Sequence, residues 1–470
     1  MDEGRGDRLV RWAPLGLLSV CLLWITSKAF ARISDPDDWW HLRLGNDLLH
    51  RHSLPAPPWS SYADQGWVPT EPVPEMVAAL VQRGLGYPGL AALFGVSLFV
   101  VTVAVYALNR QLAGPLAAVA VTALALLPLY GSMTSRPQLV SFVFLPVFIG
   151  AWIRTEQDLQ PRWWLVALAW LWSLCHGFWF IGVAYGFAGL VAVAVGRRAS
   201  GRQLARLAAL AVTTFAVVLL NPVGPGVLEA PFRVNDTARY ITEWQHPDPL
   251  APGPLGAWLM IGVTLVVWVS RRRGVTPLRV LLVVSAVFWT WYAERTVIVA
   301  AIAIAPVLAG ALHAAIQPTT TPVGEPGRLG RPEWKVIGAT FALAVVGLAV
   351  AVPHTSREPG AVPLALDSQL DRVRPGSGVV SAYVLGGWIA WRHPDLHQYI
   401  DGLATPYSRR HYEDFFRIEN QGTGWYRLLL DSGVSAALVE SDSTLAGALE
   451  DRGWVRRGTS EGYVLLTRSG

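Results

Sequence analysis

Cysteine and lysine are almost missing from this chain. Its two cysteines, Cys21 and Cys175, both fall in apolar runs. Neither has a metal-ligand spacing, and neither reports a redox compartment. Lys28 and Lys335 are the only lysines, so the net charge of +5 rests on arginine. Charged residues make up only 15% of the chain. A Gly-rich phosphate loop, a zinc spacing and a nucleophile elbow are all missing, which leaves a nucleotide-using cytosolic enzyme without support. The chain also has no internal repeat.

What fills the chain instead is apolar sequence. It has 470 residues, 52% of them hydrophobic, in runs close to bilayer length separated by short polar breaks. That pattern predicts a multi-pass membrane protein rather than a soluble core. The runs do not alternate apolar with polar residues, so the spans are α-helices and not barrel strands. In such a protein an arginine excess sets topology, and no nucleic-acid partner is expected. The 22 tryptophans suit anchoring at the membrane interface, with membrane lipids as neighbours, and stacking on sugars. No cleavable signal is expected: the first apolar run is long and leads directly into an acidic stretch.

Eleven spans are expected, at about 12–30, 87–108, 114–131, 138–153, 163–175, 178–195, 205–220, 255–270, 277–292, 296–313 and 335–353. Arg5, Arg8 and Arg11 precede the first, which puts the N-terminus in the cytoplasm. Counting sides from there, the inner loops collect Arg110, Arg154 and Arg162, the group Arg197, Arg198, Arg202 and Arg206, the group Arg271, Arg272, Arg273 and Arg279, and Arg328, Arg331 and Lys335. The linker 318–332, rich in Thr, Pro and Gly, reads as a cytoplasmic loop. Residues 1–353 form the membrane module, whose first outer loop is 31–87. Residues 354–470 carry charges throughout and no spanning run. They alternate helices (365–373, 386–392, 407–418, 425–432, 443–452) with strands (379–384, 397–400, 436–439, 463–467), predicting a small α/β domain on the outer face.

The stretch SDPDDWWHLRLG, Ser34 to Gly45, organises the functional reading. Asp35, Asp37 and Asp38, Trp39 and Trp40, and His41 follow directly on a segment that ends at a membrane surface. An interfacial tryptophan belt with an aspartate cap accounts for Trp39, Trp40 and one carboxylate. Three aspartates and a histidine so close together call for a ligand or a reaction. On a helix, Asp37 and His41 share a face and Asp38 can also meet His41. A carboxylate there can act as a base. A short amphipathic helix is expected at 40–49, broken by Pro55, Pro57 and Pro58, and a second at 75–82. Glu75 is as well explained by a helix start as by function. Glu71, between prolines and near no long helix to cap, points to orienting an acceptor or to partnering the aspartates around a divalent metal.

Three cations end outer loops: Arg136 in SRPQ, His176 in CHGFW and Arg295 in AERT. Each alone suits a snorkelling side chain or a local ion pair. Together they suit a lipid phosphate, which arginine can bind bidentately. The loop 221–254 holds Glu243, Trp244 and His246, and its Glu-Trp pair is equally open to a substrate-facing or an interfacial role. Asp401-Gly402 after a strand predicts a turn.

DPDDWWHLRLG, TEPVPE, SRPQLVSF, WSLCHGFWFIG, LNPVG, ITEWQHP and GGWIAWRHPDLHQYIDG occur here in an order that resembles a family of bacterial polytopic proteins with the GT-C architecture. These look like glycosyltransferases that use lipid-linked sugars. The resemblance covers most of the chain. It implies an α-helical, GT-C-like membrane fold of about eleven spans with a small C-terminal α/β extracytoplasmic domain. It implies transfer of a sugar from a polyprenyl-phosphate donor to a glycan, lipid or protein acceptor. Asp37 stands where the acidic residue of the first outer loop acts as base, and His41, Glu71 and Arg136 stand at other recurrent positions. Asp37 and Glu71 are then the catalytic candidates, with Asp35, Asp38, Trp39, Trp40, His41, Arg136, His176 and Arg295 binding substrate. Two rivals belong to other classes: a flippase for a lipid-linked glycan, which needs ionisable groups deep in the spans, and a scaffold that presents the C-terminal domain.

Overall fold

The computed structural model describes residues 3–51, 59–233, 237–271, 275–316 and 326–468, with only the backbone described for 3–11 and Pro231. Pro55, Pro57 and Pro58, Arg272 and Arg273, the first part of the 318–332 linker and the side chains of Arg5, Arg8 and Arg11 lie outside this description. The chain divides into two compact units. The first comprises Met1–Ala31, Ala91–Val227 and Thr242–Thr355; the second comprises Arg32–Leu90, Leu228–Ile241 and Ser356–Gly470.

The helices run in the order α1 (Glu3–Thr26), α2 (Asp37–Arg51), α3 (Pro72–Arg110), α4 (Pro115–Ser132), α5 (Gln138–Asp158), α6 (Trp164–Ser173), α7 (Trp179–Val195), α8 (Gly201–Ala216), α9 (Gly226–Arg233), α10 (Pro252–Arg271), α11 (Pro277–Tyr292), α12 (Val297–Ile316) and α13 (Arg331–Thr355). Eight helical segments among the described residues are long and apolar enough to cross a membrane. The expected spans at 163–175, 178–195 and 277–292 are helices too, but α6, α7 and α11 are shorter apolar helices of 10–17 residues.

In the first unit α12 is the hub. Every residue from Val297 to Ala309 is buried, and α12 packs on α4, α10 and α11. Alanines at 300, 301, 303 and 305 let the neighbouring helices come close. On α10 and α13 the apolar side chains Val266, Val269, Val346 and Val350 face outward and are exposed, which is a lipid-facing surface. Arg110 Nε donates to Glu333 Oε1 at 2.7 Å, and the Tyr106 hydroxyl donates to the same oxygen at 2.6 Å.

The second unit is built on a five-stranded sheet: β1 (Gly378–Ser381), β2 (His397–Gln398), β3 (Val434–Glu440), β4 (Val455–Ser460) and β5 (Tyr463–Thr467). Their spatial order is β2-β1-β3-β5-β4. β1 pairs in parallel with β2 and β3, while β5 runs antiparallel to β3 and β4. α14 (Asp367–Leu370) precedes β1, and between the strands lie α15 (Gly386–Arg392), α16 (Arg409–Glu419), α17 (Trp425–Asp431) and α18 (Thr444–Glu450). Tyr412, Phe415, Ile418, Leu429 and Leu449 from these helices close over the sheet.

Two expectations change. The first outer loop groups with the C-terminal domain. Hydrogen bonds explain this: Tyr62 Oη donates to the Ser432 carbonyl at 3.0 Å, the Ser60 hydroxyl donates to the Gln398 carbonyl, and the Asp64 carboxylate accepts the Ser408 N–H at 2.7 Å. The short helix expected at 75–82 is present as the first part of α3, which joins two helices across a break at Gly86 (φ 65°, ψ −158°); only glycine enters that region freely. Strand β4, not expected at all, is an exposed edge strand of arginine and small polar residues with no apolar alternation to announce it.

Candidate active site

The second unit holds the acidic motif. Asp35 sets the start of α2: its Oδ1 accepts the Asp37 N–H at 3.0 Å, and its carbonyl accepts the Asp38 N–H at 3.1 Å. The helix therefore begins at Asp37, three residues before the expected start, with Asp37 and Asp38 in a first turn that favours negative charge. Asp38 and Trp39 turn inward and are buried. Trp39 is 1% exposed and meets Tyr87 and Trp388 edge to face. This is core packing, not a platform open to a sugar ring. Trp40 lies over His41, and its buried indole N–H has no hydrogen-bond partner among the described residues.

His41 faces two glutamates. Its Nδ1 is 3.0 Å from Glu75 Oε1 and 3.5 Å from Glu71 Oε2. Glu71 stands immediately before α3 and its carbonyl accepts the Glu75 N–H at 3.2 Å. Glu71 thus stands at the start of the short helix that runs from Pro72 to the break at Gly86. Pro72 opens α3 at the position where proline is favoured. One donor atom from each of His41, Glu71 and Glu75 lies within 4.8 Å of the others. Glu75 Oε2 is buried with no hydrogen-bond partner among the described residues. An imidazole and two carboxylates, one with an unused oxygen, fit a divalent transition metal.

Asp401 comes into the same unit from the C-terminal part of the chain. Its Oδ1 accepts the Leu403 N–H at 3.0 Å, which is the expected turn. The carboxyl is also wholly buried, and burial raises it from 3.8 to about 6, against the lowering effect of the Leu403 N–H and Tyr407. Gly402 has to be glycine: a Cβ there would sit 2.9 Å from Trp40 Cδ1 and Nε1 and 3.0 Å from Asp37 Oδ1. The backbone after Asp401 thus lies directly against Asp37. Burial raises the phenols of Tyr383 and Tyr412 well above their usual range, and the charges of Asp37 and Asp401 add to it.

The first unit holds the cations. Arg136 Nη1 donates to Glu243 Oε2 and Arg295 Nη1 donates to Glu243 Oε1, both at 3.0 Å. A single carboxylate bridges two guanidiniums that are 159 positions apart in the chain, at 136 and 295. The Arg295 guanidinium carbon lies 4.5 Å from the Trp244 ring centroid and 5.2 Å from that of Phe178. Rings beside a guanidinium limit its hydration and fix its plane. The Glu294 N–H donates to the Gln245 carbonyl at 3.1 Å, which ties the two loops together. Burial raises the Glu243 carboxyl, but Arg295 and Arg136 outweigh it and hold it below the usual glutamate value.

His176 is held towards its neutral form. It is buried, and burial, then the charge of Arg295, push its imidazole well below 6.5. Its Nδ1 accepts the Phe178 N–H at 3.2 Å and lies 2.9 Å from Ser141 Oγ, which itself accepts the Trp172 indole N–H at 2.7 Å. These bonds suit a neutral ring with its proton on Nε2.

Solved structures share this architecture. The oligosaccharyltransferase AglB of Archaeoglobus fulgidus, in complex with an inhibitory peptide and a dolichol-phosphate, aligns over 92% of this chain and 70% of its own at 13% identity and a TM-score of 0.59. An Archaeoglobus fulgidus oligosaccharyltransferase in complex with Zn and sulfate aligns over 90% of this chain and 68% of its own at 14% identity and a TM-score of 0.53. ArnT of Cupriavidus metallidurans, bound to undecaprenyl phosphate, aligns over 96% and 97% at 14% identity and a TM-score of 0.53. The chain has a GT-C-like fold. By sequence, no family model and no curated protein matches it.

Within the second unit the structure brings together His41, Glu71 and Glu75, and sets Asp37 against Gly402. Within the first it joins Arg136 to Arg295 through Glu243. Sequence reasoning did not assign Glu243, Glu75 or Asp401 to a site. The signal for Glu243 was present in its neighbour Trp244, but its arginine partners are 107 and 52 residues away.

Proposed function

We propose that the protein is an inverting membrane glycosyltransferase, moving a sugar from a polyprenyl-phosphate donor to an acceptor on the outer face of the membrane. The observation that carries this reading is the pair of guanidiniums bridged by Glu243, on a fold shared with proteins solved with dolichol-phosphate and undecaprenyl phosphate. A carboxylate with one oxygen on each arginine presents them as a phosphodiester with two free oxygens would.

In this reading Arg136 and Arg295 bind the donor phosphate, with the neutral His176 and Phe178 beneath them. Asp37 takes the proton of an acceptor hydroxyl. The acceptor oxygen attacks the anomeric carbon, the bond from that carbon to the phosphate oxygen breaks, and polyprenyl phosphate leaves with its new negative charge stabilised by the arginines. Asp35, Asp38 and Trp40 support Asp37 and the sugar, and Trp39 holds the motif in the core. Glu71 orients the acceptor or, with His41 and Glu75, holds a divalent cation. Such a cation would supply fixed positive charge beside the reacting groups. The N-terminus is cytoplasmic, and residues 354–470 form a soluble domain outside.

The test uses the full-length protein in detergent with radiolabelled hexosyl undecaprenyl phosphate, following release of undecaprenyl phosphate. Asp37→Asn should reduce release by at least about 100-fold, the scale of a lost general base, while Asp47→Asn should not. Release at the wild-type rate from the Asp37→Asn protein would remove this mechanism.

A further inference from the structure

The second unit carries a groove that no step above uses. It lies at the end of the sheet where β1, β3 and β4 begin and β5 finishes, and has a volume of about 950 Å³. Five of its 13 lining residues are arginines, Arg372, Arg374, Arg456, Arg457 and Arg468, and none is acidic. All five are exposed.

Two features show how the cluster is built. In an unbroken strand, neighbouring side chains point to opposite faces. The pairing of β4 with β5 skips Arg457, since Arg456 opposes Leu466 and Gly458 opposes Leu465. This bulge re-aims the strand, and Arg456 and Arg457 line one groove. Arg457 Nε is then held by Thr467 Oγ1 at 2.8 Å, and Arg456 is half-neutralised by Glu450 at 2.7 Å. Arg372, Arg374 and Arg468 have no ion-pair partner among the described residues.

Like charges gathered in a concave site repel each other and concentrate counter-ions. Guanidinium forks suit phosphate groups. The lining has no aromatic ring, and its only larger apolar residues are Val373 and Pro375. It therefore lacks the anchors that a lipid surface or unstacked bases would need. We infer that this groove binds a soluble phosphate-bearing polymer, such as a phosphorylated glycan, by several phosphates at once. The inference goes beyond the transfer reaction and stands whether or not the chain transfers sugar.

Short-chain inorganic polyphosphate is the probe, titrated into full-length protein in neutral detergent. Wild-type protein should bind it and ignore neutral dextran, with affinity falling steeply as salt rises. The double variant Arg372→Gln/Arg374→Gln should weaken binding about tenfold or more and flatten the plot of log K against log salt by roughly two units, one per lost cation. Arg457→Gln/Arg468→Gln should do the same. Arg427→Gln, an exposed arginine outside the groove, should change neither. Equal weakening by Arg427→Gln would mean diffuse attraction to a basic protein and overturn the assignment. So would an absence of polyphosphate binding, or capture of phosphatidylglycerol vesicles, but not of polyphosphate, that depends on the same arginines.

Discussion

His41 and Glu75 form a buried pair, with Nδ1 and Oε1 3.0 Å apart, and the second oxygen of Glu75 has no hydrogen-bond partner among the described residues. With Glu71 alongside, this set should take up a transition metal. Adding Zn²⁺ to metal-free protein should raise its unfolding temperature, and a chelator should reverse the rise. A concentration 100 times the dissociation constant corresponds to about 2.7 kcal/mol. Glu75→Gln and His41→Ala should each abolish the shift. A Zn²⁺ response that survives in both variants would place the metal elsewhere.

Glu243 separates a structural from a ligand-binding role for the two arginines. Removing its charge leaves Arg136 and Arg295 facing each other without the carboxylate that bridges them. Glu243→Gln should lower stability by about 1–2 kcal/mol, a modest figure because the pairs are partly exposed. Undecaprenyl phosphate should then protect the variant more than it protects wild-type protein, because its phosphate replaces the missing anion. Calorimetric melts with and without the lipid measure this. Equal protection of both proteins would mean that the phosphate does not use these guanidiniums.

Acid should loosen the first unit through His176. Burial and Arg295 hold its imidazole well below 6.5, so the folded state binds fewer protons than the unfolded state as pH falls through 6.5. Stability contributed by the neutral ring is full above pH 6.5 and falls below it. His176→Gln cannot titrate and should show a smaller loss of unfolding temperature between pH 7 and pH 5. Parallel losses in wild type and variant would assign the acid sensitivity to other groups.

The helical part of this fold was legible because apolar runs of bilayer length have few alternative structures. All eleven expected spans fall on helices. What was not legible is non-local. Nothing near residue 243 signals that its carboxylate reaches positions 136 and 295. Nothing in Asp401-Gly402 signals that its backbone packs on Asp37. Glu71 is different, since Pro72 at the first position of α3 is a helix-start signal that was available locally. Strand β4 escaped because an edge strand does not need an apolar face, and the arginines that hid it line the groove inferred above.

Asp401 offers a pH test of the second unit with the opposite sign. Its buried carboxyl is raised from 3.8 to about 6. Between those values the folded state holds the proton while the unfolded chain releases it, so stability falls as pH rises through this window and stays lower above it. The shift corresponds to roughly 3 kcal/mol at 1.36 kcal/mol per unit. Asn keeps an oxygen for the Leu403 N–H and carries no charge. Asp401→Asn should therefore match wild type near pH 4 and become the more stable protein by pH 7, read as a widening difference in unfolding temperature. A constant difference across that range would mean that the ionised carboxylate finds compensation inside the fold. Asp401 Oδ2 has no hydrogen-bond partner among the described residues, so substrate hydroxyls, screened by protection of the wild-type protein but not the variant, would be the first candidates for that compensation.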